Sequence, residues 1–445
     1  MFLIYLSIQM PQELLTSTQF IKLQTSTRKE FDYILEALRG FLSIIVVVSH
    51  IIVFNINFEP NFFPSNLTNI RLPAQLAVLI FFVLSGYVIG LSTPKMETKN
   101  DIAKYFKKRI IRIYPIYLIS IILSVLVAKE SYSFTTILSN LTFTQIIFQS
   151  VIFENSPIWS LQYEVVYYLV FIPILYFRLN PIKLCILSIF ISILSYIAFP
   201  FINIPVLISY SVGLVFWLSG LILASHFKGI PKIIDFKESV SMLFLLLSLL
   251  QFNVFHTALI KTINAVSVTI FGHEINFNNV YWAKAIIGIP DFAYLPYCIL
   301  FILKFVGFKF KYEKLVTLFL LLSPILTFIH LAKSFYNPKI FEEFIIPTIF
   351  YILSLIVYFS DGSQFNKVYQ TILTVGTWLG KISYGIYITH FPILILFGNV
   401  YKYSGSLLTY ILRIFLFFSV TIIFSYLLEN KLQPILKKTS LRYFK

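Results

Sequence analysis

Residues 72–92 read LPAQLAVLIFFVLSGYVIGLS, a stretch of 21 residues without a charged side chain. An α-helix needs about 20 apolar residues to cross the hydrocarbon core of a bilayer. The chain contains further apolar stretches of similar length, near residues 34–54, 110–128, 158–177, 182–201, 205–225, 239–256, 285–304, 315–331, 344–360, 374–399 and 407–428. The regions 182–225 and 315–360 are the least regular, so we predict about 10–12 transmembrane helices.

The composition places most of the chain in lipid. Hydrophobic residues make up 58% of the sequence and charged residues 12%, whereas a soluble domain carries about 25% charged residues. Burial in a globule cannot account for this difference, because a soluble fold still needs a polar surface. We therefore predict an all-α fold, a polytopic integral membrane helical bundle.

Positive charges predict the orientation of this bundle. Loops that face the cytoplasm carry an excess of Lys and Arg. Basic-rich and basic-poor loops alternate along the chain. Examples from the rich loops are Lys104, Lys107, Lys108, Arg109, Arg112, Lys309, Lys311, Lys314, Lys437 and Lys438. Examples from the poor loops are Arg71, Lys129 and Lys402. This asymmetry predicts that both termini are cytoplasmic, with tails at 1–30 and 431–445 and a transmembrane domain over 31–430.

Two classes of partner are not indicated. The net charge of +16 is spread over short loops and forms no basic domain, so we do not expect nucleic-acid binding. No spacing of Cys and His residues indicates a metal site. The surroundings that the sequence predicts are membrane lipids.

Residues 131–157 differ from their neighbours because they are rich in Ser, Thr and Gln. Irregular backbone at membrane depth is tolerated where it lines a water-filled cavity. We expect this segment to form an outer loop with a shallow re-entrant piece beside such a cavity.

The first span carries a polar stripe. At about 100° per residue, Glu36, Arg39, Ser43 and His50 fall within about 60° of one another on a helix. Arg39 and His50 are then about 16 Å apart along the axis, so Arg39 lies near the inner interface and His50 below the outer one. Ionisable residues inside a span are functional candidates. The alternative is an arginine that reaches the interface and a structural histidine.

His50 has the chemistry of a general base, because a neutral imidazole can accept a proton from an attacking hydroxyl. Glu164 is the second candidate. It follows Ser156 and Pro157, which suggest a helix start with Ser as the cap, and the sequence predicts a depth similar to that of His50. A carboxylate beside the imidazole would orient it. Alternatively, Glu164 is a structural ion-pair partner.

Arg109 and Arg112 open the third predicted span with i, i+3 spacing, which puts both on one helical face. Cations near a helix N-terminus oppose the macrodipole, so a bound anion would be stabilising there. Guanidinium groups bind phosphates bidentately, and the phosphates of a nucleotide-like donor fit this site. Ordinary positive-inside charge or anionic lipid headgroups explain the spacing equally well.

Two further segments contain small or polar residues inside spans. Ser85 and Gly86 lie mid-helix, where small residues allow close helix packing. Ser383, Tyr387 and His390 share one helical face, which is either a cavity wall or a packing face. Pro392 is expected to kink that helix.

Five segments in this order resemble the membrane-bound acyltransferase family 3, the family of bacterial O-antigen and other polysaccharide O-acetyltransferases. The segments are Leu38-Arg39-Gly40 followed by His50, Phe81-Phe82-Val83-Leu84-Ser85-Gly86-Tyr87, Arg109-Ile110-Ile111-Arg112-Ile113-Tyr114-Pro115, Trp159-Ser160-Leu161-Gln162-Tyr163-Glu164, and Ile382-Ser383-Tyr384-Gly385-Ile386-Tyr387-Ile388-Thr389-His390. Each segment alone is a weak signal, whereas the ordered set covers nearly the whole chain.

This resemblance implies specific roles. The donor would be acetyl-CoA or a related acyl-CoA, reached from the cytoplasm. Arg39 and His50 look like the essential pair of the family, Arg109 and Arg112 look like its CoA-binding motif, and Glu164 matches the acid of its Trp-Ser-Leu-x-x-Glu motif. The expected acceptor is a surface polysaccharide or a lipid-linked glycan at a bacterial inner membrane.

Some family members carry a fused extracytoplasmic hydrolase-like domain that completes the transfer. This sequence contains none, so we expect the chain to act alone or with a separate extracytoplasmic partner. The competing hypotheses are a transporter or exporter of a glycan or lipid, in which the polar stripe lines a permeation route, and a non-catalytic membrane scaffold. Within the enzyme class, the alternative is another acyl group such as succinyl. The sequence leaves the oligomeric state open.

Overall fold

A computed structural model describes residues 17–62, 70–93, 95–198, 205–226, 235–272, 286–332, 337–361 and 365–443. The first 16 residues of the predicted cytoplasmic tail lie outside this range. The helices are α1 Ser17–Val53, α2 Asn55–Phe58, α3 Ala74–Ser92, α4 Lys99–Val127, α5 Phe134–Leu141, α6 Trp159–Tyr176, α7 Pro181–Ala198, α8 Pro205–His226, α9 Phe236–Phe252, α10 Val254–Phe271, α11 Leu295–Val306, α12 Glu313–Leu322, α13 Pro324–Ala332, α14 Pro338–Phe359, α15 Asn366–Gly380, α16 Ser383–Gly398, α17 Leu407–Tyr426 and α18 Gln433–Tyr443. Short 3₁₀ segments precede α6 and α11, and a π-helical turn joins α17 to α18.

The structure confirms an all-α polytopic bundle. Within the described ranges, 11 helical stretches are long and apolar enough to cross a membrane, and the number rises to 12 if the bent pair α15–α16 forms one span. The outward faces are apolar, as lipid requires; on α7, for example, Phe190 is 60% and Leu194 is 52% exposed. The predicted number of 10–12 spans is therefore confirmed. We use inner and outer for the two ends of the bundle as the charge pattern predicts them.

Small residues bring α3 and α8 into direct backbone contact. A Cβ atom on Gly86 would lie 1.9 Å from the Trp217 carbonyl oxygen, and one on Gly220 would lie 1.9 Å from the Val83 carbonyl oxygen. Only glycine permits this approach, which is the small-residue packing typical of membrane helices. The predicted packing role of the Ser85-Gly86 segment is confirmed, and the tight contact fixes the direction in which Ser85 points.

A similar contact joins α1 to α15 near the inner end. A Cβ atom on Gly380 would lie 1.8 Å from the Glu36 carbonyl oxygen, and one on Gly40 would lie 2.1 Å from the Gly376 carbonyl oxygen. Directly after Gly380 the chain turns by 70° into α16. This bend, at residues 381–382, is one that the sequence did not predict, and the expected kink at Pro392 stays a prediction. Pro392 lies inside the continuous helix α16.

A buried ion pair ties the outer ends of α1, α16 and α17 together. Arg413 is 4% and Glu59 is 1% exposed, and Arg413 Nε lies 2.9 Å from a Glu59 carboxylate oxygen. The guanidinium also donates to the carbonyl oxygens of Val400 and Tyr403, at 2.8 and 3.0 Å. The Glu59 carboxylate accepts from the Gly405 amide at 2.9 Å. Together these bonds hold the outer loop 399–406 in one position.

Candidate active site

The centre of the candidate site is a pair of histidines from α1 and α16. His50 Nδ1 lies 2.8 Å from His390 Nε2, and the two rings are nearly parallel, with centroids 5.1 Å apart. His390 is completely buried, whereas His50 is half-buried. The bend at the start of α16 sets the course of this helix beside α1, so the pair is a product of tertiary packing.

The hydrogen-bond partners determine the tautomers of both neutral rings. His390 Nδ1 lies 3.1 Å from the Ile386 carbonyl oxygen, which only accepts, so Nδ1 carries the proton. His390 Nε2 is then an acceptor, and His50 Nδ1 must donate to it. The remaining ring nitrogen of His50, Nε2, consequently carries a lone pair. This is the state that a general base requires.

His390 is a candidate site residue whose role the sequence reasoning left undecided. The shared face of Ser383, Tyr387 and His390 was equally compatible with packing and with a cavity wall. In the structure, Tyr387 and His390 face the site: the Tyr387 hydroxyl lies 2.6 Å from the Ser160 hydroxyl. Two histidines at membrane depth on separate spans were the signal, because such residues pair with each other when their helices meet.

The structure gives Glu164 partners different from the expected one. Its carboxylate accepts hydrogen bonds from the Ser85 hydroxyl, at 2.8 Å, and from the Tyr168 hydroxyl. We had predicted that Glu164 orients His50. In the structure His390 occupies that position instead. The physical reason is that His390 lies on a helix packed directly against α1. A role for Glu164 in the reaction stays a prediction.

The segment before Glu164 also starts differently from the prediction. A 3₁₀ segment, Phe153–Ile158, precedes α6, and the Ser156 hydroxyl donates to the Phe153 carbonyl oxygen at 3.0 Å instead of capping the helix. Asn155, which is fully buried, donates to the Ile388 carbonyl oxygen at 3.1 Å. This bond fastens the 3₁₀ segment to α16 one turn or less from the histidine pair.

Arg109 is held in place by aromatic rings. Its guanidinium carbon lies 5.3 Å from the centroid of the Tyr105 ring and 5.4 Å from that of Tyr168. One terminal nitrogen donates to the Ser92 hydroxyl at 3.2 Å. The buried Nε has no hydrogen-bond partner among the described residues. The guanidinium is thus positioned by stacking and retains donors for an anion.

One expectation about the arginine motif needs correction. α4 begins at Lys99, where Thr98 and Asp101 form a capping box, so Arg109 lies well inside the helix. The macrodipole acts within the first turn and therefore does not favour an anion at Arg109. Arg112 is exposed and lies within electrostatic range of Glu429; its role in donor binding stays a prediction.

Arg39 belongs to a charged group at the inner end of α1. Its guanidinium donates to the Glu36 carboxylate at 2.7 Å. Glu429 lies within electrostatic range of Arg39 and Arg112, and its carboxylate accepts from the Gly385 amide at 3.2 Å. The polar stripe of the first span is thus divided, with Arg39 and Glu36 paired at its inner end and His50 bonded to His390 at its outer end.

A cavity of about 610 Å³, which we call the outer cavity, lies between the chain after α1, the segment after α4 and the end of α16. Its polar and aromatic lining includes Asn57, Lys129, Tyr132, Phe153, Glu154 and Tyr401. Several of these residues belong to the segment 131–157 or adjoin it. This segment, which contains the short helix α5, therefore lines a cavity as expected, whereas its outer location and its re-entrant depth stay predictions. Among the described residues, no group of three or more His, Cys, Asp and Glu side chains forms a metal site.

Comparison with known proteins agrees with these features. The acyltransferase domain of acyltransferase family 3 matches residues 32–300. "Putative acetyltransferase ORF330" of Acidianus two-tailed virus is 30% identical over 232 residues, which cover 50% of this chain and 66% of that protein. "Acyltransferase MdmB" of Streptomyces mycarofaciens is 27% identical over 153 residues, which cover 31% of this chain and 37% of that protein. The chain spans less than two thirds of the length of these relatives, and no solved structure matches it significantly.

The family match covers more than half of the chain and contains all five predicted site residues, namely Arg39, His50, Arg109, Arg112 and Glu164. His390 lies outside the matched range, and its pairing with His50 rests on the geometry alone. The helical bundle, its apolar spans and this match agree with one another. The chain is a polytopic all-α bundle, and it belongs to the membrane-bound acyltransferase family 3.

Proposed function

We propose that this protein transfers an acetyl group from cytoplasmic acetyl-CoA to a hydroxyl of a surface polysaccharide or lipid-linked glycan on the outer side of the membrane. The observation that carries the proposal is the half-buried His50 ring, whose Nδ1 is bonded to His390 at 2.8 Å. This bond leaves Nε2 as a base near the outer end of α1. The inner end of the same bundle presents Arg109 and Arg112.

The histidine pair supplies proton transfer. His50 Nε2 takes the proton of the acceptor hydroxyl while its oxygen attacks the thioester carbonyl carbon. The carbon–sulfur bond then breaks, and the same imidazole returns the proton to the departing CoA sulfur. His390 holds the ring in the required tautomer and stabilises the imidazolium through its Nε2 lone pair. The products are the acetyl ester and CoA with a free thiol.

The residues between the inner end and the histidine pair suit a path for the donor. Arg109 would bind phosphate oxygens, since stacking on Tyr105 and Tyr168 leaves its donors available. The Tyr168 hydroxyl donates a hydrogen bond to the Glu164 carboxylate. One turn away on α6, Ser160 is bonded to Tyr387, whose ring centroid lies 6.2 Å from that of His390. These polar groups connect Arg109 with the histidine pair across the bundle.

The direct test uses purified protein in lipid nanodiscs, radiolabelled acetyl-CoA and surface glycan isolated from the source strain. We expect alkali-labile label in the glycan, and we expect His50→Ala to reduce it by at least 100-fold, because general acid–base catalysis contributes about 10²–10⁴-fold. His226→Ala, at an exposed histidine on α8, serves as the matched control with wild-type rates. A glycan that remains unlabelled under all conditions would support the transporter hypothesis instead.

A further inference from the structure

We infer that the outer cavity is the acceptor subsite and that it binds an uncharged polyhydroxylated ring, a neutral sugar, in preference to an acidic one. This inference rests on the proposed function, because it assigns a place to the acceptor of that reaction. It adds a location, a substrate class and a set of residues that neither the family match nor the histidine pair provides.

Aromatic rings link the outer cavity to the candidate base. Phe153 lines the cavity, and the centroid of this ring lies 6.4 Å from that of Phe54 and 6.2 Å from that of Phe391. The same two rings pack against His50, with centroid distances of 5.8 and 5.4 Å. Two successive ring contacts therefore connect the cavity wall with His50. For transfer, a hydroxyl of the bound ring must pass between Phe153, Phe54 and Phe391.

The volume of the outer cavity and the chemistry of its lining also suit a sugar. A volume of about 610 Å³ falls in the range of roughly 300–1,000 Å³ that is typical of small-molecule sites. The Phe153 ring is 44% exposed and offers an apolar face to the C–H side of a sugar ring. Asn57, Ser131 and Tyr401 add amide and hydroxyl groups along the wall. An aromatic face with several hydrogen-bonding groups is suited to a polyhydroxylated ligand.

Negative charge is in excess in the lining of the cavity. The lining contains two carboxylates, from Glu130 and Glu154, and one ammonium group, from Lys129. Lys129 Nζ donates to the Tyr401 hydroxyl at 2.9 Å, which occupies one of its three N–H donors. Burial, and then the hydrogen bond to Glu154, raise the pKa of Tyr132 to about 12. This hydroxyl therefore remains protonated and donates to the Glu154 carboxylate. The excess of negative charge disfavours a uronate or another anionic sugar.

The walls of the outer cavity are held in place by buried polar contacts. Arg413 and Glu59 fix the loop 399–406, which carries Tyr401 into the cavity wall. On the opposite side, Asn155 fastens the 3₁₀ segment that carries Phe153 and Glu154. Both walls are thus held by buried polar contacts, as expected of a preformed binding site.

Binding is tested by cysteine protection with the full chain in nanodiscs. Ser131→Cys, at an exposed position in the lining, is labelled with a membrane-impermeant maleimide, and the labelling of native Cys185 and Cys298 in the parent protein gives the background. The probes are neutral methyl glycosides of glucose, galactose, mannose, rhamnose and N-acetylglucosamine, with methyl glucuronide as the anionic match. We expect at least one neutral glycoside to slow labelling fivefold or more and the glucuronide to have no effect.

Control variants locate the effect. Tyr401→Ala and Glu154→Gln should raise the half-protecting glycoside concentration at least fivefold. Arg71→Cys, at an exposed outer position away from the cavity, should be labelled at the same rate with and without glycoside. Protection by the glucuronide alone, or equal protection at Arg71→Cys, would overturn the inference.

Acetyl transfer from acetyl-CoA to the same glycosides separates this inference from the proposed function. Transfer to a glycoside that does not protect Ser131→Cys would overturn the subsite and leave the proposed function intact. Protection by a neutral glycoside, with no transfer to that glycoside or to the isolated surface glycan, would contradict the proposed function and retain the neutral-sugar site. Neither protection nor transfer would contradict both.

Discussion

The hydrogen bond between His50 and His390 leads to a quantitative prediction. His390→Leu replaces the ring by an apolar side chain of similar volume and removes the acceptor at 2.8 Å from His50 Nδ1. The His50 ring becomes an imidazolium in the transition state, and this cation then lacks its acceptor at a place where His390 was completely buried. A hydrogen bond to a charged group contributes about 1.5–3 kcal/mol. At 1.36 kcal/mol per factor of ten, we expect kcat to fall about 10- to 150-fold.

The matched variant is His390→Gln. The amide oxygen of Gln can occupy the position of Nε2 and accept from His50 Nδ1, so we expect kcat within about fivefold of wild type. Rates are measured as release of the CoA thiol and as acetyl transfer, with size-exclusion profiles and thermal melting as controls for folding. A structural role alone would lower stability in both variants and would leave the rate per folded molecule unchanged.

The interpretation as a coupled pair is tested by a double-mutant cycle with His50→Gln. If His390 acts through His50, the effect of His390→Leu should largely disappear once His50 is absent, because coupled residues are not additive. Fully additive losses would refute the reasoning. So would a His390→Leu protein with wild-type kcat.

Three further predictions follow from other contacts. Arg109→Lys should raise the KM for acetyl-CoA about tenfold with little change in kcat. The reason is that a hydrogen bond to a charged group contributes about 1.5–3 kcal/mol and that lysine cannot stack between two tyrosines. An unchanged KM would show that Arg109 does not bind the donor. Gly86→Ala should lower the free energy of unfolding in detergent by about 1–3 kcal/mol, because its Cβ would lie 1.9 Å from a carbonyl oxygen of α8. Gly288→Ala is the control, since its nearest contact would be at 3.4 Å, and it should melt like wild type. Arg413→Met should destabilise the protein by about 3–5 kcal/mol, because it leaves the Glu59 carboxylate buried without its ion-pair partner. Adding Glu59→Gln should restore part of that loss. Equal melting temperatures for the single and double variants would contradict this account.

The site shows where sequence reasoning was sufficient and where it was not. It singled out Arg39, His50, Arg109, Arg112 and Glu164 as candidates, because ionisable residues in apolar spans are conspicuous. It also placed the residues of each helix on their faces, since the helical repeat is local. It assigned Glu164 to His50 incorrectly, because a helical face does not reveal which neighbouring helix it meets.

The number and character of the spans were determined by the sequence alone, since the thickness and polarity of the bilayer require long apolar runs whatever their packing. The pairing of His50 with His390, residues 340 positions apart, was decided only by the tertiary structure. In lipid, apolar surface gives little preference for one helix neighbour over another. Close glycine contacts, such as those of Gly380 and Gly86, and the bend before α16 select the arrangement that brings the two imidazoles together.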